Sequence, residues 1–424
     1  MEKERATSQA LTTSPHLSAR EEFLLASSDM LRQSSLSLLL CSLTGLLAGI
    51  VFGSMTEMLK MLPGLLILIP PANDMRGNIY GAMVSRLGTA MHIGTFSPSL
   101  RDKNGVLRQN LLSSLTLMLS YSIILGVLAV IFADIFHIYT ISVWELILIS
   151  VLSGLISASF LLWIAVAISV AGYRRNWNID NFSSPIITAA GDLVTIPSLY
   201  LGGIFLLELR EIVGVESSMK IACLFSLIFL AFSLLLTLKN IREHGRRRIL
   251  IESFPVLLLC GILGIITGSL LEARLERLIA IPAIFVLLPP FLEVCNALGG
   301  ILSARTSSML HIGTIEARTL PERKILWNFV AIYILSAFFL LVGALSWLLS
   351  SILGMNASLC DMLLLSLLAG LLSASFLNFA SYYIAVFSFK FGLDPDNDTI
   401  PLITSLTDIF GVLCVLAAMK IVIG

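Results

Sequence analysis

Eleven apolar segments, each longer than twenty residues, run along almost the whole of this chain. Since about 20 apolar residues cross a bilayer as a helix, they predict an all-α polytopic membrane protein with about eleven transmembrane helices. Only 13% of the 424 residues are charged, which excludes a soluble α/β enzyme, a disulfide-rich secreted domain and a disordered chain. The segments lie at about 34–59, 62–95, 107–133, 142–172, 184–207, 218–238, 250–272, 279–312, 325–353, 359–390 and 399–423.

The charged residues and the cysteines exclude several classes of partner and of site. The 27 basic and 27 acidic residues cancel, which argues against nucleic acid as a partner. The apolar segments make the lipid bilayer the expected partner. Six cysteines are scattered singly without a CxxC motif, so we interpret them as free thiols and expect neither a zinc site nor disulfides. Residues 1–33 are polar and lack the pattern of a cleaved signal peptide. They are predicted to form a cytoplasmic tail.

The loops between the segments carry an uneven charge that predicts orientation. Basic clusters such as Arg174-Arg175 and Arg246-Arg247-Arg248 fall on the side of the N-terminal tail. Because cytoplasmic loops carry an excess of Lys and Arg, the N-terminus is predicted to be cytoplasmic and the C-terminus extracytoplasmic. The opposite side is comparatively acidic, and an acidic mouth would gather cations.

The chain contains an internal duplication. Residues 63–95 align without gaps on 282–314 at an offset of 219, and both stretches end in His-Ile-Gly-Thr. A second block, 157–192, matches 373–408 at an offset of 216. Each repeat therefore holds five crossings, and the segment at 218–238 has no counterpart.

The unmatched crossing has a topological consequence. With five crossings in the first repeat alone, the second repeat would be inverted in the membrane, and the additional crossing restores its orientation. The two repeats are therefore predicted to be parallel and to enclose a central pathway. We expect a tail at 1–33, a first five-helix unit at 34–209, a linker helix with a basic loop at 210–249, and a second five-helix unit at 250–424.

Two repeated carboxylates are the best candidates for a cation site. Asp192 and Asp408 lie about eight residues, or roughly 12 Å, into their apolar segments, where a carboxylate is costly unless it meets water, a cation or a partner. Mg²⁺ keeps much of its water, so a few carboxylates around a hydrated ion suit it. The alternative is a structural pairing with Arg or a helix cap. The same helix faces carry Thr188, Thr404, Pro185 and Pro401.

A second pair of acids follows the repeated Pro-Pro pairs. Proline removes a helical hydrogen bond, so we expect broken helices at Pro70-Pro71 and Pro289-Pro290. Asp74 and Glu293 could then line the same pathway or hold a second ion, or instead cap the resumed helices. Gly77 and Asn78 offer a carbonyl and close backbone approach in the first repeat only, because Asn296-Ala297 reverses the order.

Repeated basic residues have two interpretations each. Arg86 and Arg305 could repel cations from a wrong route or anchor an acid, or they could hold helices together. His92 and His311 could ligate a transition metal, or hydrogen-bond to carbonyls at helix ends. The acids at 180 and 394–398 could attract ions at the inner mouth, or belong to solvated turns.

Enzyme motifs are missing from the sequence. It contains no GxxxxGK[ST], HExxH or GxSxG, so we expect neither an ATP-driven pump nor an enzyme. No cofactor is expected beyond Mg²⁺ as the transported ion.

These motifs resemble the MgtE-type divalent cation transporters, and more closely the duplicated branch typified by solute carrier family 41. The resemblance rests on Pro63–Thr95, with its Pro-Pro, Gly77-Asn78 and Ser85-Arg86, on Pro282–Thr314, and on two Pro-x-x-Thr-x-x-x-Asp motifs. It implies Mg²⁺ transport, with Asp192 and Asp408 holding the hydrated ion in the pore and with a Gly-Asn role at Gly77 and Asn78. It also implies that the duplication replaces a homodimer, so that a monomer could function.

Other readings stay open at this point. Bacterial MgtE proteins bear cytoplasmic Mg²⁺-sensing domains, and 33 polar residues here suggest no such gating. A cation exchanger of other specificity, for Na⁺/Ca²⁺ or a transition metal, is the first alternative, and an intramembrane protein without transport activity is the second. Channel and Na⁺-coupled exchange are both compatible with the sequence.

Overall fold

The chain folds into helices joined by short loops. The computed structural model describes residues 19–102, 105–175, 183–390 and 400–423, and these contain no strand. Ten of their helical segments are long and apolar enough to cross a membrane, which confirms the all-α polytopic fold. The helices are α1 (Ala19–Ser54), α2 (Thr56–Met61), α3 (Leu65–Ile93), α4 (Val106–Ile135), α5 (Val143–Arg175), α6 (Ser183–Val213), α7 (Val215–Ile241), α8 (His244–Glu272), α9 (Leu275–Ala280), α10 (Ala283–His311), α11 (Arg323–Leu335), α12 (Phe338–Ile352), α13 (Leu359–Lys390) and α14 (Ile400–Val422).

Helix α3 falls outside the ten although it is 29 residues long. Asn73, Asp74 and Arg76 interrupt its apolar run, whereas α10, its aligned counterpart of equal length, is more apolar. The count of eleven crossings therefore stays a prediction.

The duplication is visible in the order of the helices. Each repeat begins with a long helix, a six-residue helix and a 29-residue helix: α1–α3 in the first repeat and α8–α10 in the second. Helix α4 corresponds to α11 and α12 together, which are interrupted at Ser336-Ala337. Helix α7 has no counterpart, as the sequence predicts.

The helices pack as two compact units. Unit A comprises the described residues up to Leu46 together with those from Val286 onward, and unit B comprises Leu47–Phe285. The packing units thus differ from the sequence repeats, because each unit takes a leading helix from the other repeat. The repeat boundaries at 209 and 250 describe relatedness along the chain and stay predictions.

Glycines allow this exchange of leading helices. In unit B a Cβ on Gly264 of α8 would lie 2.7 Å from Pro71 Cα, and one on Gly268 would lie 2.7 Å from Ile67 Cα. In unit A a Cβ on Gly45 of α1 would lie 2.8 Å from Pro290 N. Only glycine permits such close backbone contact, so the small residues place α8 against α3 and α1 against α10.

The prediction of helices broken at the Pro-Pro pairs is wrong. Helix α3 runs through Pro70 and Pro71, and α10 runs through Pro289 and Pro290. Neither pair lies in the first turn of its helix, so each proline still removes a helical hydrogen bond, and a glycine of α8 or α1 packs against the pair. The helices therefore carry the residues that follow the prolines without a break.

The helix without a counterpart, α7, joins unit B through small polar side chains. Ser233 Oγ lies 2.9 Å from Ser120 Oγ of α4, and Ser226 Oγ donates to Trp144 O of α5 at 3.3 Å. Most of its leucines and phenylalanines are exposed, including Leu224, Leu234 and Leu235. Helix α7 thus lies on the outside of unit B.

Candidate functional site

The first candidate site lies in unit B where α3 contacts α6. Asp192 of α6 is only 7% exposed, and its carboxylate accepts a hydrogen bond from the Asn73 amide of α3. Beside it, a Cβ on Gly191 would lie 3.7 Å from Gly77 N, so the two backbones pass close to one another. The glycines at this contact bring the amide of one helix within reach of the carboxylate of the other.

The second candidate site has the same arrangement in unit A. Asp408 of α14 is 4% exposed and accepts a hydrogen bond of 2.9 Å from Asn296 Nδ2 of α10. A Cβ on Gly299 would lie 3.4 Å from Thr407 Oγ1, so α10 and α14 also approach closely. Both repeats therefore bury one aspartate within their helices and pair it with one asparagine amide.

The two asparagines occupy different positions of the repeat. At the offset of 219, Asn73 aligns with Leu292, and Asn296 aligns with Gly77. These positions are four residues apart and share a helix face, so either can reach the aspartate of the neighbouring helix. The sequence analysis missed Asn73 for this reason: gapless alignment pairs it with leucine, and only helical spacing relates it to Asn296.

The other predicted acids lie inside continuous helices. Asp74 follows Asn73 in the middle of α3, and Glu293 lies in α10, where its Oε2 accepts a 2.9 Å hydrogen bond from Thr44 Oγ1 of α1. Neither can cap a resumed helix. The cap of α3 comes instead from Glu272 of α8, whose Oε1 accepts a 2.8 Å hydrogen bond from Gly64 N.

One face of α3 and one of α10 are left unfilled by neighbouring side chains. A Cβ placed on Gly77, Gly81 or Gly300 would meet no atom within 4 Å. These faces are half-exposed and mostly small or polar. They carry Asp74, Gly77, Asn78, Gly81 and Ser85 on α3, and Glu293, Asn296, Ala297, Gly300 and Arg305 on α10.

The threonines and prolines of the aspartate motifs are only partly described. Thr188 is exposed one turn before Asp192 on α6, and Thr404 is half-buried one turn before Asp408 on α14. The side chains of Pro185 and Pro401 lie outside the described residues, as do the acids at 180 and 394–398 and the His92 side chain.

The repeated basic residues lie farther along α3 and α10. Arg86 Nε donates a 2.7 Å hydrogen bond to Asn110 Oδ1, which ties α3 to α4 through a neutral amide. Arg305 is half-buried on α10. His311 Nδ1 lies 3.0 Å from Ser307 O and its ring meets Phe389 edge-on, which matches the carbonyl hydrogen bond weighed for this residue.

Within the described parts of the chain, no three His, Cys, Asp or Glu side chains converge in the manner of a dry metal site. What each repeat does supply is one buried carboxylate, one amide and a half-exposed polar helix face. Such a set can hold a cation through its water shell, since Mg²⁺ usually keeps several waters and takes one or two carboxylates from the protein.

Comparison with known proteins matches two segments of the chain, one in each repeat. The MgtE family, described as "Divalent cation transporter", matches residues 69–202 and 288–418. Rat solute carrier family 41 member 3 is 24% identical over 434 residues, covering 96% of this chain and 90% of that protein. Solute carrier family 41 member 2 of chicken is 25% identical over 91% of this chain and 69% of its own length, and that of Xenopus laevis is 24% identical over 63% and 46%. No solved structure matches the chain.

Proposed function

The chain belongs to the MgtE family of divalent cation transporters, and from that premise we propose that it moves Mg²⁺ along a pathway between its two repeats. Asp192 and Asp408 hold the hydrated ion in this proposal. The single observation that carries it is the recurrence of a buried aspartate paired with an asparagine amide in both repeats. The pair recurs although the asparagine has changed position, as expected if the carboxylate and its amide are what function requires.

The polar helix faces supply the rest of the proposed pathway. Asp74 and Glu293 lie on them, together with Gly77 and Asn78, whose backbone is open to close approach. Thr188 and Thr404 add hydroxyl oxygens one turn from the aspartates. All are oxygen ligands or small residues, which suit a hard, hydrated cation better than a soft transition metal.

The membrane setting of the proposal follows from charge and exposure. The chain is a multi-pass membrane protein, and its basic loops favour a cytoplasmic N-terminus and an extracytoplasmic C-terminus. Exposed leucines on α7 and elsewhere would face the lipid. Since both aspartates come from one chain, a monomer can assemble the whole pathway.

Flux measurements test this proposal. In proteoliposomes containing the purified full chain, we expect uptake of Mg²⁺ to exceed that of Ca²⁺ by about tenfold or more, because Mg²⁺ demands tighter octahedral geometry and retains its water. Uptake of Co²⁺, an ion close to Mg²⁺ in size, is measured for comparison. Mg²⁺ uptake is also measured under Na⁺ gradients of either direction, because a Na⁺-coupled exchanger responds to them and a channel does not. Preference for Ca²⁺ would indicate the alternative exchanger, and no cation flux above protein-free vesicles would refute transport.

A further inference from the structure

A buried arginine lies beside the first candidate site. Arg76 of α3 is 0% exposed, and its guanidinium donates to Ser153 Oγ of α5 at 2.8 Å and to Thr195 O of α6 at 3.3 Å. Its Nε has no hydrogen-bond partner. None of the ion pairs among the described residues includes Arg76. A positive charge buried among neutral partners is costly, so its presence here calls for an explanation.

Arg76 and Asp192 belong to the same pair of packed helices, α3 and α6. Arg76 lies one turn after Asn73 on α3, and Thr195, which it contacts, lies one turn after Asp192 on α6. The hydrogen bonds of the arginine and of the aspartate thus lie about one turn apart along the same helix pair, and one turn of helix is about 5 Å. In a medium of low dielectric, a charge one or two turns away still acts on a carboxylate.

The second repeat lacks this charge. At the offset of 219 the counterpart of Arg76 is Cys295, a buried thiol next to the Asn296 that donates to Asp408. The helix pair that carries Asp192 therefore contains a buried positive charge, and the helix pair that carries Asp408 has a neutral thiol at the corresponding position. The duplication has kept the carboxylate and its amide while making the two sites electrostatically unequal.

We propose that Arg76 is an affinity-determining residue that makes Asp192 the weaker cation ligand and leaves Asp408 as the principal one. This inference rests on the proposed function and adds a division of roles within it. Arg76 does not touch the ion, and it acts through the field at Asp192. Because Coulomb energy scales with ion charge, Arg76 opposes a divalent ion twice as strongly as a monovalent one at the same place.

Arginine variants separate this role from simple support of the fold. Arg76→Met, with the full chain in proteoliposomes, is expected to lower the KM for Mg²⁺ about tenfold, and Arg76→Lys is expected to stay within about twofold of the wild type. The matched control is Arg248→Met, which removes an exposed arginine of α8 and should leave KM unchanged. In the wild-type background, Asp408→Asn should raise KM about tenfold more than Asp192→Asn does, and Arg76→Met should close that gap.

Two further measurements separate the effect of the charge at Arg76 from effects on folding and on transport. Cys295→Arg introduces the charge into the second repeat and should raise KM about tenfold, and Mg²⁺-dependent thermal stabilisation gives Kd for every variant without any flux. A wild type that binds Mg²⁺ but moves none would refute the proposed transport while Kd still tests Arg76. Equal effects of the two Asp→Asn variants, or an Arg76→Met variant present in normal amounts with an unchanged or raised KM and Kd, would overturn the inference.

Discussion

Replacing both Asp192 and Asp408 with asparagine is expected to reduce Mg²⁺ transport at least about 100-fold while the protein reaches the membrane in normal amounts. Asparagine has nearly the shape of aspartate and still offers an oxygen to the amides of Asn73 and Asn296, so the helix contacts survive. What disappears is two negative charges. An interaction with a charged group contributes about 1.5–3 kcal/mol, and each 1.4 kcal/mol is about tenfold in binding.

The matched control neutralises two acids that lie elsewhere. Glu216 and Glu252 are exposed members of surface pairs with Lys220 and Arg248, and such pairs contribute little to stability. Glu216→Gln with Glu252→Gln changes net charge by the same amount, and transport is expected to stay within about twofold. If the Asp192/Asp408 double variant, at normal abundance, also kept its flux within about threefold, the two aspartates would not hold the transported ion.

Alanine at the glycines of α8 is expected to destabilise unit B. The new Cβ atoms of Gly264→Ala and Gly268→Ala would lie 2.7 Å from the Cα atoms of Pro71 and Ile67, which are backbone and cannot turn aside as a side chain could. Forcing extra carbon into such a contact typically costs about 1–3 kcal/mol at each position. The double variant should therefore unfold about 5–10 °C below the wild type in detergent, as followed by tryptophan fluorescence.

The control for this experiment is a glycine of α3 with free space around it. A Cβ on Gly81 would meet no atom within 4 Å, and alanine favours a helix over glycine by about 1 kcal/mol. Gly81→Ala should thus keep or slightly raise the unfolding temperature. Equal unfolding temperatures for the α8 double variant and the wild type would mean that α8 does not approach α3 as closely as described.

Much of the fold follows from local features of the sequence. Each long apolar run becomes a helix because its backbone groups must be satisfied within the bilayer, and the duplication carries α1–α3 over to α8–α10. The burial of Asp192 and Asp408 also follows, since eight residues of helix separate each from the start of its segment. These inferences need only the order of apolar and polar residues along the chain.

Features that depend on packing between distant residues were not predictable in this way. A repeat shows which helices are related, but not that Gly264 packs against Pro71 of the other repeat. The Pro-Pro pairs suggest a break because proline lacks a donor, yet both helices continue through them, with a glycine of another helix packed against each pair. The donor Asn73 escapes notice because its aligned position in the second repeat is a leucine.

The central claim is that one carboxylate from each repeat serves a single cation. Its most direct test is an experimental structure of the full chain with Mn²⁺ in place of Mg²⁺, with the ion located by its anomalous scattering. We expect one ion roughly 4–5 Å from carboxylate oxygens of both Asp192 and Asp408, since a water bound at about 2.1 Å lies between the ion and each. Ions bound away from both aspartates, or two carboxylates sealed from each other and from solvent, would contradict it.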